Sequence, residues 1–420
     1  MLVASIHSDV YLCAVSKQVI IIGGGASGFF CAANINNKNV RVTILEKQKN
    51  VLQKVKVSGG GRCNVTHACF VNSELLKKYP RGKALLKKTF TQFSPTNTIA
   101  WFEQRGVKLK TEADGRMFPQ SDSSQTIIDT LLHACNQQHV EVKLKQEVVQ
   151  IKKSNNRFTI QCSQGESYEA DYLVMALGGL PKIEQYAMIQ SMGHSIIEPT
   201  PSLFTFNATD DLLKNLMGIS VPEVSIKIEK TNFENTGSLL ITHWGFSGPA
   251  ILKLSAFAAK ELKAMQYQFQ IHMNWVNIPE HKLREQWNNI REKQSALTLQ
   301  QKNPFQLPQR LWDYLLHKAE IKGETKWSEL NAKAQNKLIH ILTTQSINIS
   351  GKTTFKEEFV TAGGVDTKDI NPKTMESKHV ANLYFSGELL DVDGITGGFN
   401  FQHAWTSGYL IAQDIESKEM

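Results

Sequence analysis

The apolar positions of this chain change rhythm along its length, and each rhythm predicts a different kind of element. From residue 18, QVIIIGG is a short β-branched run of the type buried on both faces of a parallel sheet. ASGFFCAANINN then carries helical spacing, and VRVTILEK reads as the next strand, which together make a βαβ unit of about 30 residues. From Ser123 to His139 the spacing predicts an amphipathic helix with Ile127, Ile128, Leu131 and Leu132 on its apolar face. Alternation follows in VEVKLKQEVVQI, RFTIQC and YEADYLVMALGG, which predicts a β-meander feeding a buried strand that ends at Gly178 and Gly179.

Beyond Gly193 the pattern changes. Residues 200–275 hold several short alternating strands, VSIKIEK and YQFQIHM among them. Residues 279–345 have helical spacing instead, most clearly in QRLWDYLLHKA and AQNKLIHILTT. The segment ANLYFSGELLDVDGITGGFNFQHAWTSGYLIAQDI then returns to strand, glycine loop and helix. An insertion accounts for this order. The expected architecture is α/β, with a Rossmann-like nucleotide-binding domain in two pieces, 18–192 and 350–420, interrupted by a β-rich domain over 193–278 and a helical domain over 279–349.

Composition fits several domains of a soluble protein: 420 residues, 41% hydrophobic and 20% charged. No apolar run reaches the roughly 18 to 20 residues that span a bilayer. The first 17 residues lack a basic start and are interrupted by Asp9, so they predict a disordered extension of a cytoplasmic protein rather than a signal sequence. The six cysteines are scattered without a C-x-x-C pair, which argues against a metal site, a thioredoxin-like centre and a disulfide framework.

Charge adds a hint about partners. The formal net charge is +8, and KKYPRGKALLKK, residues 77–88, carries six basic residues and no acid. The helical stretch from Pro279 to Gln345 has eleven basic residues against seven acidic. Either run suits a solvated helix face or an anionic partner.

Two glycine motifs carry the chemistry. Gly23, Gly25 and Gly28 form G-x-G-x-x-G between a strand and a helix. There the first glycine serves the tight turn, the second the approach of a pyrophosphate, and the third the packing of helix on strand. The phosphates would lie on free N–H groups at the helix N-terminus. Glu46, at the end of the second strand, is placed to accept ribose hydroxyls. This fingerprint alone does not separate NAD from FAD. Gly397 and Gly398 precede the last helix, whose N-terminal dipole would stabilise the negative charge of a reduced flavin. The run SGGGRCN, with Gly59, Gly60 and Gly61 ahead of Arg62, Cys63 and Asn64, predicts backbone lying close against another group.

Taken together, IIGGGASG, SGGGRCNVT, DGRMFPQSD, THWGFSGPA, TAGGVDTKDINPKTMES and LYFSGELLDVDGITGGFNFQHAWTSG resemble the BaiN/RdsA family of NAD(P)H- and FAD-dependent oxidoreductases, in order from about residue 18 to 415. The resemblance implies FAD contacts from Gly23, Gly25, Ser27, Gly28, Glu46, Lys47, Gly60, Arg62, Cys63, Asn64, the backbone at Val148, Gly178, Gly387, Glu388, Gly397, Gly398, Phe399 and Asn400. It also implies a nicotinamide dinucleotide as transient reductant, since no second fingerprint is present. Two departures from the family pattern stand out: the segment after Gly179 is several residues short, and His67 stands where Asn is more usual.

The family's substrates are activated carbon–carbon double bonds, so the leading expectation is reduction of uridine in ribosomal RNA to dihydrouridine. The alternatives are a small-molecule ene-reductase or aminoketone oxidase, and a non-catalytic flavin-binding assembly or regulatory protein. Saturating such a bond needs a proton donor and an electrophile at the carbonyl. Arg116, in DGRMFP, is the candidate for holding a carbonyl or phosphate, and His243, in THWGFSGP, for donating the proton. His403, on the last helix, is expected to be structural.

Overall fold

The computed structural model describes residues 16–353 and 360–420. The extension expected over residues 1–17 lies, for residues 1–15, outside the described residues. Lys17 already belongs to the first strand, its N–H donating to the Asn39 carbonyl at 2.8 Å.

The β-branched runs form the centre of a five-stranded parallel sheet in the order Leu383–Phe385, Tyr172–Met175, Lys17–Ile22, Val40–Glu46 and Glu141–Leu144. Val19 to Ile22 are buried, as a strand covered on both faces requires. The helix Ala26–Ala33 follows the first strand, and the 20-residue helix Phe399–Lys418 packs beside it. Gly408 permits that approach, because a Cβ there would lie 2.7 Å from the Ser27 carbonyl oxygen.

Two details of the periodicity resolve differently. The amphipathic helix spans Ser124–Gln137, with the Ser123 hydroxyl accepting the Gln125 N–H at 3.3 Å. Its buried face is Ile127, Ile128, Leu131, Ala134 and Cys135, and Leu132 is exposed because it lies past the edge of that stripe. The alternating run that reads as one meander breaks in two. Glu141–Leu144 becomes the edge strand of the parallel sheet. After a left-handed turn at Lys145, Val148–Ser154 opens an antiparallel sheet with Arg157–Cys162 and Ser167–Ala170.

The inserted strands close into a six-stranded barrel: Thr205–Ala208, Gly245–Ser247, Glu234–Ile241, Ser220–Ile228, Gln268–Asn274 and Gln345–Thr353. Its closing strand crosses residue 349, where the sequence pattern suggests a domain limit. The helices Glu280–Lys293, Gln309–Lys318 and Ala332–Thr344 lie between the last two barrel strands in the chain and share one core with the barrel. Trp275, Trp287, Trp312 and Trp327 are fully buried in it, and the Trp275 indole N–H donates to Gln345 Oε1 at 2.6 Å. The chain leaves the parallel-sheet half through Ile196–Ser202 and returns through Val360–Val365, and these two strands pair antiparallel with each other.

Candidate functional site

The first glycine motif is built by contact rather than by composition. Gly23 has φ +116°, and a Cβ there would sit 2.3 Å from the Ala176 carbonyl oxygen. A Cβ on Gly28 would sit 2.2 Å from the Gly23 carbonyl oxygen. Gly25, the residue before the helix Ala26–Ala33, borders open space within 4 Å. The Glu46 carboxylate is fixed at the end of its strand by the N–H groups of Gly24 at 2.8 Å and Gln48 at 2.7 Å. A carboxylate has about four lone-pair directions, so two remain for ribose hydroxyls. Lys47, beside it, is exposed. The Gln146 N–H donates to the Glu46 carbonyl at 2.9 Å, which brings Val148 and its antiparallel sheet alongside.

The SGGGRCN stretch is a chain reversal. Ser58 is extended, while Gly59, Gly60 and Gly61 all have positive φ, at +59°, +69° and +84°. Cys63 is left-handed as well, and its N–H closes the loop on the Ser58 carbonyl at 3.0 Å. Gly59 packs on Phe118, whereas Gly60 and Gly61 border open space. The Cys63 thiol is fully buried, and desolvation pushes it up to about 12 against a hydrogen bond with Ser58, so it stays protonated. Arg62 turns its guanidinium over the Phe118 ring at 4.0 Å and pairs with Glu112 at 2.7 Å and Asp122 at 3.6 Å.

Asn64 joins this loop to the second glycine motif. With its amide oriented to satisfy every polar atom, its oxygen accepts the Gly398 N–H at 3.0 Å, and its nitrogen donates to the carbonyls of Thr66 at 2.9 Å and Met117 at 3.3 Å. Gly398 has φ +89°, and a Cβ there would lie 2.6 Å from the Thr66 carbonyl oxygen. Asn400 braces the same turn, accepting the Gly394 N–H at 2.8 Å and donating to the Gly394 carbonyl at 3.0 Å. Phe399 is buried, its carbonyl accepting from the Tyr79 hydroxyl at 2.7 Å and its ring stacked on His67 at 4.7 Å.

The segment between the last sheet strand and this turn is equally fixed. Gly387 packs on the Ser27 hydroxyl, donates its N–H to Ser407 Oγ at 2.9 Å and accepts from His403 Nε2 at 3.2 Å. Burial lowers His403 to about 4, opposed by that carbonyl; the ring is a neutral structural group. The Glu388 carboxylate accepts the Thr361 N–H at 2.9 Å and pairs with Lys54 at 2.7 Å. Gly178 has φ +72° and borders open space, while Gly179 packs against Glu388 and Thr361. The short segment that follows folds into two single turns, with the Tyr186 hydroxyl donating back to the Leu180 carbonyl at 3.3 Å.

The two candidates for substrate chemistry occupy different places. Arg116 is the cross-strand partner of His67 and is ion-paired with Glu112 at 2.8 Å and Asp114 at 2.7 Å. His243 is exposed in the turn between two barrel strands, edge-on to Trp244 at 4.1 Å. His67, which the sequence marks only as a departure, lies between Gly115 and the glycine turn at Gly397. A Cβ on Gly115 would come within 2.4 Å of its ring and one on Gly397 within 3.3 Å, and its buried Nδ1 has no hydrogen-bond partner. Burial lowers its pKa, the Asp114 backbone opposing and Lys78 and Lys253 adding to the effect.

The basic run 77–88 is not one face. Arg81 is largely covered and pairs with the buried Asp393, and Lys77 pairs with Glu74 at 2.7 Å. Lys83, Lys87 and Lys88 are exposed on the helix Lys83–Thr89. In the helical insert, Arg284, Lys318 and Lys337 pair with Glu280, Asp210 and Glu320. Among the described residues no helix is long and apolar enough to cross a membrane.

Backbone N–H groups at the start of one helix, a carboxylate beside them, and open glycines at residues 25, 60, 61 and 178 fit a dinucleotide cofactor, with no Cβ in the way. Comparison with known proteins agrees. The model of the HI0933-like protein Rossmann domain matches residues 17–414. A ribosomal RNA dihydrouridine synthase of Escherichia coli (strain K12) is 31% identical over 407 residues, covering 95% of this chain and 98% of that protein. A 3-dehydro-bile acid delta(4,6)-reductase of Clostridium scindens is 29% identical over 408 residues, covering 94% and 98%. Among solved structures, the 3-ketosteroid delta1-dehydrogenase from Sterolibacterium denitrificans aligns with a TM-score of 0.51 at 10% identity, covering 96% of this chain and 100% of that one, a likeness of fold alone. Because the match runs from the first strand to the last helix and takes in both glycine motifs, the chain belongs to the HI0933-like Rossmann family, the BaiN/RdsA group of flavin-dependent oxidoreductases.

Proposed function

We propose that this oxidoreductase reduces an activated carbon–carbon double bond, with uridine of ribosomal RNA as substrate, dihydrouridine as product and NAD(P)H as transient reductant, in the cytoplasm. The observation that carries the reading is the likeness, over 95% of the chain, to proteins named ribosomal RNA dihydrouridine synthase, at 31% identity in Escherichia coli and 30% in Haemophilus influenzae.

FAD, when bound, supplies the hydride chemistry. The residues of the chain bind and orient it: Gly23, Gly25 and Gly28 leave backbone room for the pyrophosphate, Ser27 lies in the same helix, and Glu46 takes the ribose with Lys47 and Val148 beside it. Gly60, Arg62, Cys63, Asn64, Gly178, Gly387, Glu388, Gly397, Gly398, Phe399 and Asn400 would supply the remaining contacts to the cofactor. Within this set, Asn64 and Asn400 act by holding the glycine turn, and Arg62 by pinning the loop to Phe118. Reduction adds a hydride to one alkene carbon and a proton to the other. Arg116 is assigned the carbonyl or phosphate of the substrate, supported by its pairing with His67. His243 is assigned the proton on the strength of its motif, THWGFSGP, alone, since it lies on an exposed turn of the barrel.

The test is anaerobic reoxidation of the reduced protein, followed by flavin absorbance. Ribosomal RNA should restore the oxidised spectrum and leave dihydrouridine in its digest. Reoxidation by a simple enone alone would sink the RNA reading in favour of a small-molecule ene-reductase, which the name of the 29%-identical bile acid reductase favours. That second reading predicts turnover insensitive to salt, whereas RNA binding weakens steeply with it.

A further inference from the structure

The two halves of the molecule meet along a seam whose residues come from distant parts of the chain. Arg81 pairs with the buried Asp393 and donates to the Ala256 carbonyl at 2.8 Å, while the Ser202 hydroxyl donates to the same carboxylate at 2.8 Å. Ala256 lies on the barrel-side helix Pro249–Phe257. Lys253, one turn earlier, shares its face. Lys78 stands three residues before Arg81, and its carbonyl accepts the Ile395 N–H at 2.9 Å from the turn that leads into Gly397 and Gly398. Each lysine is therefore held at the seam by its backbone, one from each half.

Both lysines are half-buried, and among the described residues neither ammonium makes a hydrogen bond or an ion pair. They lie in electrostatic range of each other and of His67. The acid that Lys253 senses is Asp114, which is committed to Arg116 at 2.7 Å. Two like charges held together and partly desolvated disfavour each other. A bound anion relieves that. The His67 ring, stacked on Phe399 beside the glycine turn, provides a flat neighbour for whatever sits there.

We propose that Lys78 and Lys253 form a phosphate subsite at this seam, gripping an oxyanion of a molecule that reacts beside Gly397 and Gly398. The proposal rests on the reductase reading above. The phosphate comes from one of two sources, the polynucleotide backbone next to the reacting base or the nicotinamide dinucleotide.

The flavin-loaded enzyme separates them. Binding of a fluorescein-labelled single-stranded RNA is followed by anisotropy over a range of KCl concentrations, and the KM for NADPH is measured in anaerobic flavin reduction. Three variants accompany the wild type: Lys78→Gln with Lys253→Gln, Lys78→Arg with Lys253→Arg, and the charge-matched exposed pair Lys108→Gln with Lys152→Gln. The glutamine pair at the seam should weaken one ligand about 10- to 100-fold, the arginine pair should keep it within about threefold, and the exposed pair should change it less than twofold. For RNA, the salt slope should also fall by about 1. A loss confined to RNA assigns the phosphate to the polynucleotide; a loss confined to NADPH assigns it to the dinucleotide. If wild-type protein binds no RNA, the RNA reading fails and NADPH decides the subsite alone, a raised KM keeping it and an unchanged one overturning it. The subsite is also overturned if neither ligand responds, or if the exposed pair causes the same loss.

Discussion

The side-chain oxygen of Asn64 accepts the backbone N–H of Gly398, so the triple-glycine loop near the start of the chain and the glycine turn before its last helix are one structure. Asn64→Ala leaves that N–H buried without a partner, which costs about 1–3 kcal/mol. The expected outcome is a lower melting temperature together with about tenfold weaker FAD binding, read by thermal unfolding and by flavin fluorescence quenching. Asn64→Asp should fall between, keeping the acceptor for Gly398 while facing two carbonyls.

The first glycine motif separates packing from binding. Gly28→Ala drives a methyl into the Gly23 carbonyl oxygen, so the apoprotein should lose about 1–3 kcal/mol. Gly25→Ala faces open space at a φ of −91° that alanine adopts. That variant should fold within about 0.5 kcal/mol of wild type and bind FAD at least about tenfold more weakly. Chemical denaturation of the apoprotein and FAD titration check the pair.

His403 is neutral in the folded protein, its pKa lowered from 6.5 to about 4 by burial. The unfolded chain therefore takes up a proton that the folded chain refuses, and stability is lost as pH falls from 6.5 towards 4, by up to about 3 kcal/mol. His67 and His194, also lowered by burial, act in the same direction. Urea midpoints should decline through this window, and His403→Gln should flatten the decline.

Arg81 and Asp393 form the buried ion pair of the seam. Arg81→Met should destabilise by about 3–5 kcal/mol by stranding a buried carboxylate. Adding Asp393→Asn should recover part of that. Denaturant unfolding of the single and double variants gives the comparison.

Much of the parallel-sheet half was legible in the sequence, because an unbroken β-branched run followed by a glycine turn has few other structural uses. The pattern of QVIIIGG and the position of Glu46 survive intact in the fold. What local pattern could not convey were pairings across the chain. Arg81 reads as one more surface charge until Asp393 supplies its partner. The closing barrel strand Gln345–Thr353 follows the helix Ala332–Thr344 without a break, so its alternation is masked by helical spacing, and its partner Gln268–Asn274 lies on the far side of three helices. Lys253 carried no signal in the sequence, since its significance comes from lying across the seam from Lys78. Leu132 shows the limit of the helical stripe, where one residue's rotation decides burial.

The strands that carry the chain out of and back into the parallel-sheet half end in register, Ser202 opposite Val360. Viewed from the nucleotide-binding half, everything between them is a single hairpin loop that happens to have grown a barrel and a helical cap. A short turn joining Ser202 to Val360 would close the two strands directly, and a different cap could be spliced onto the same two ends without changing the register of this pair.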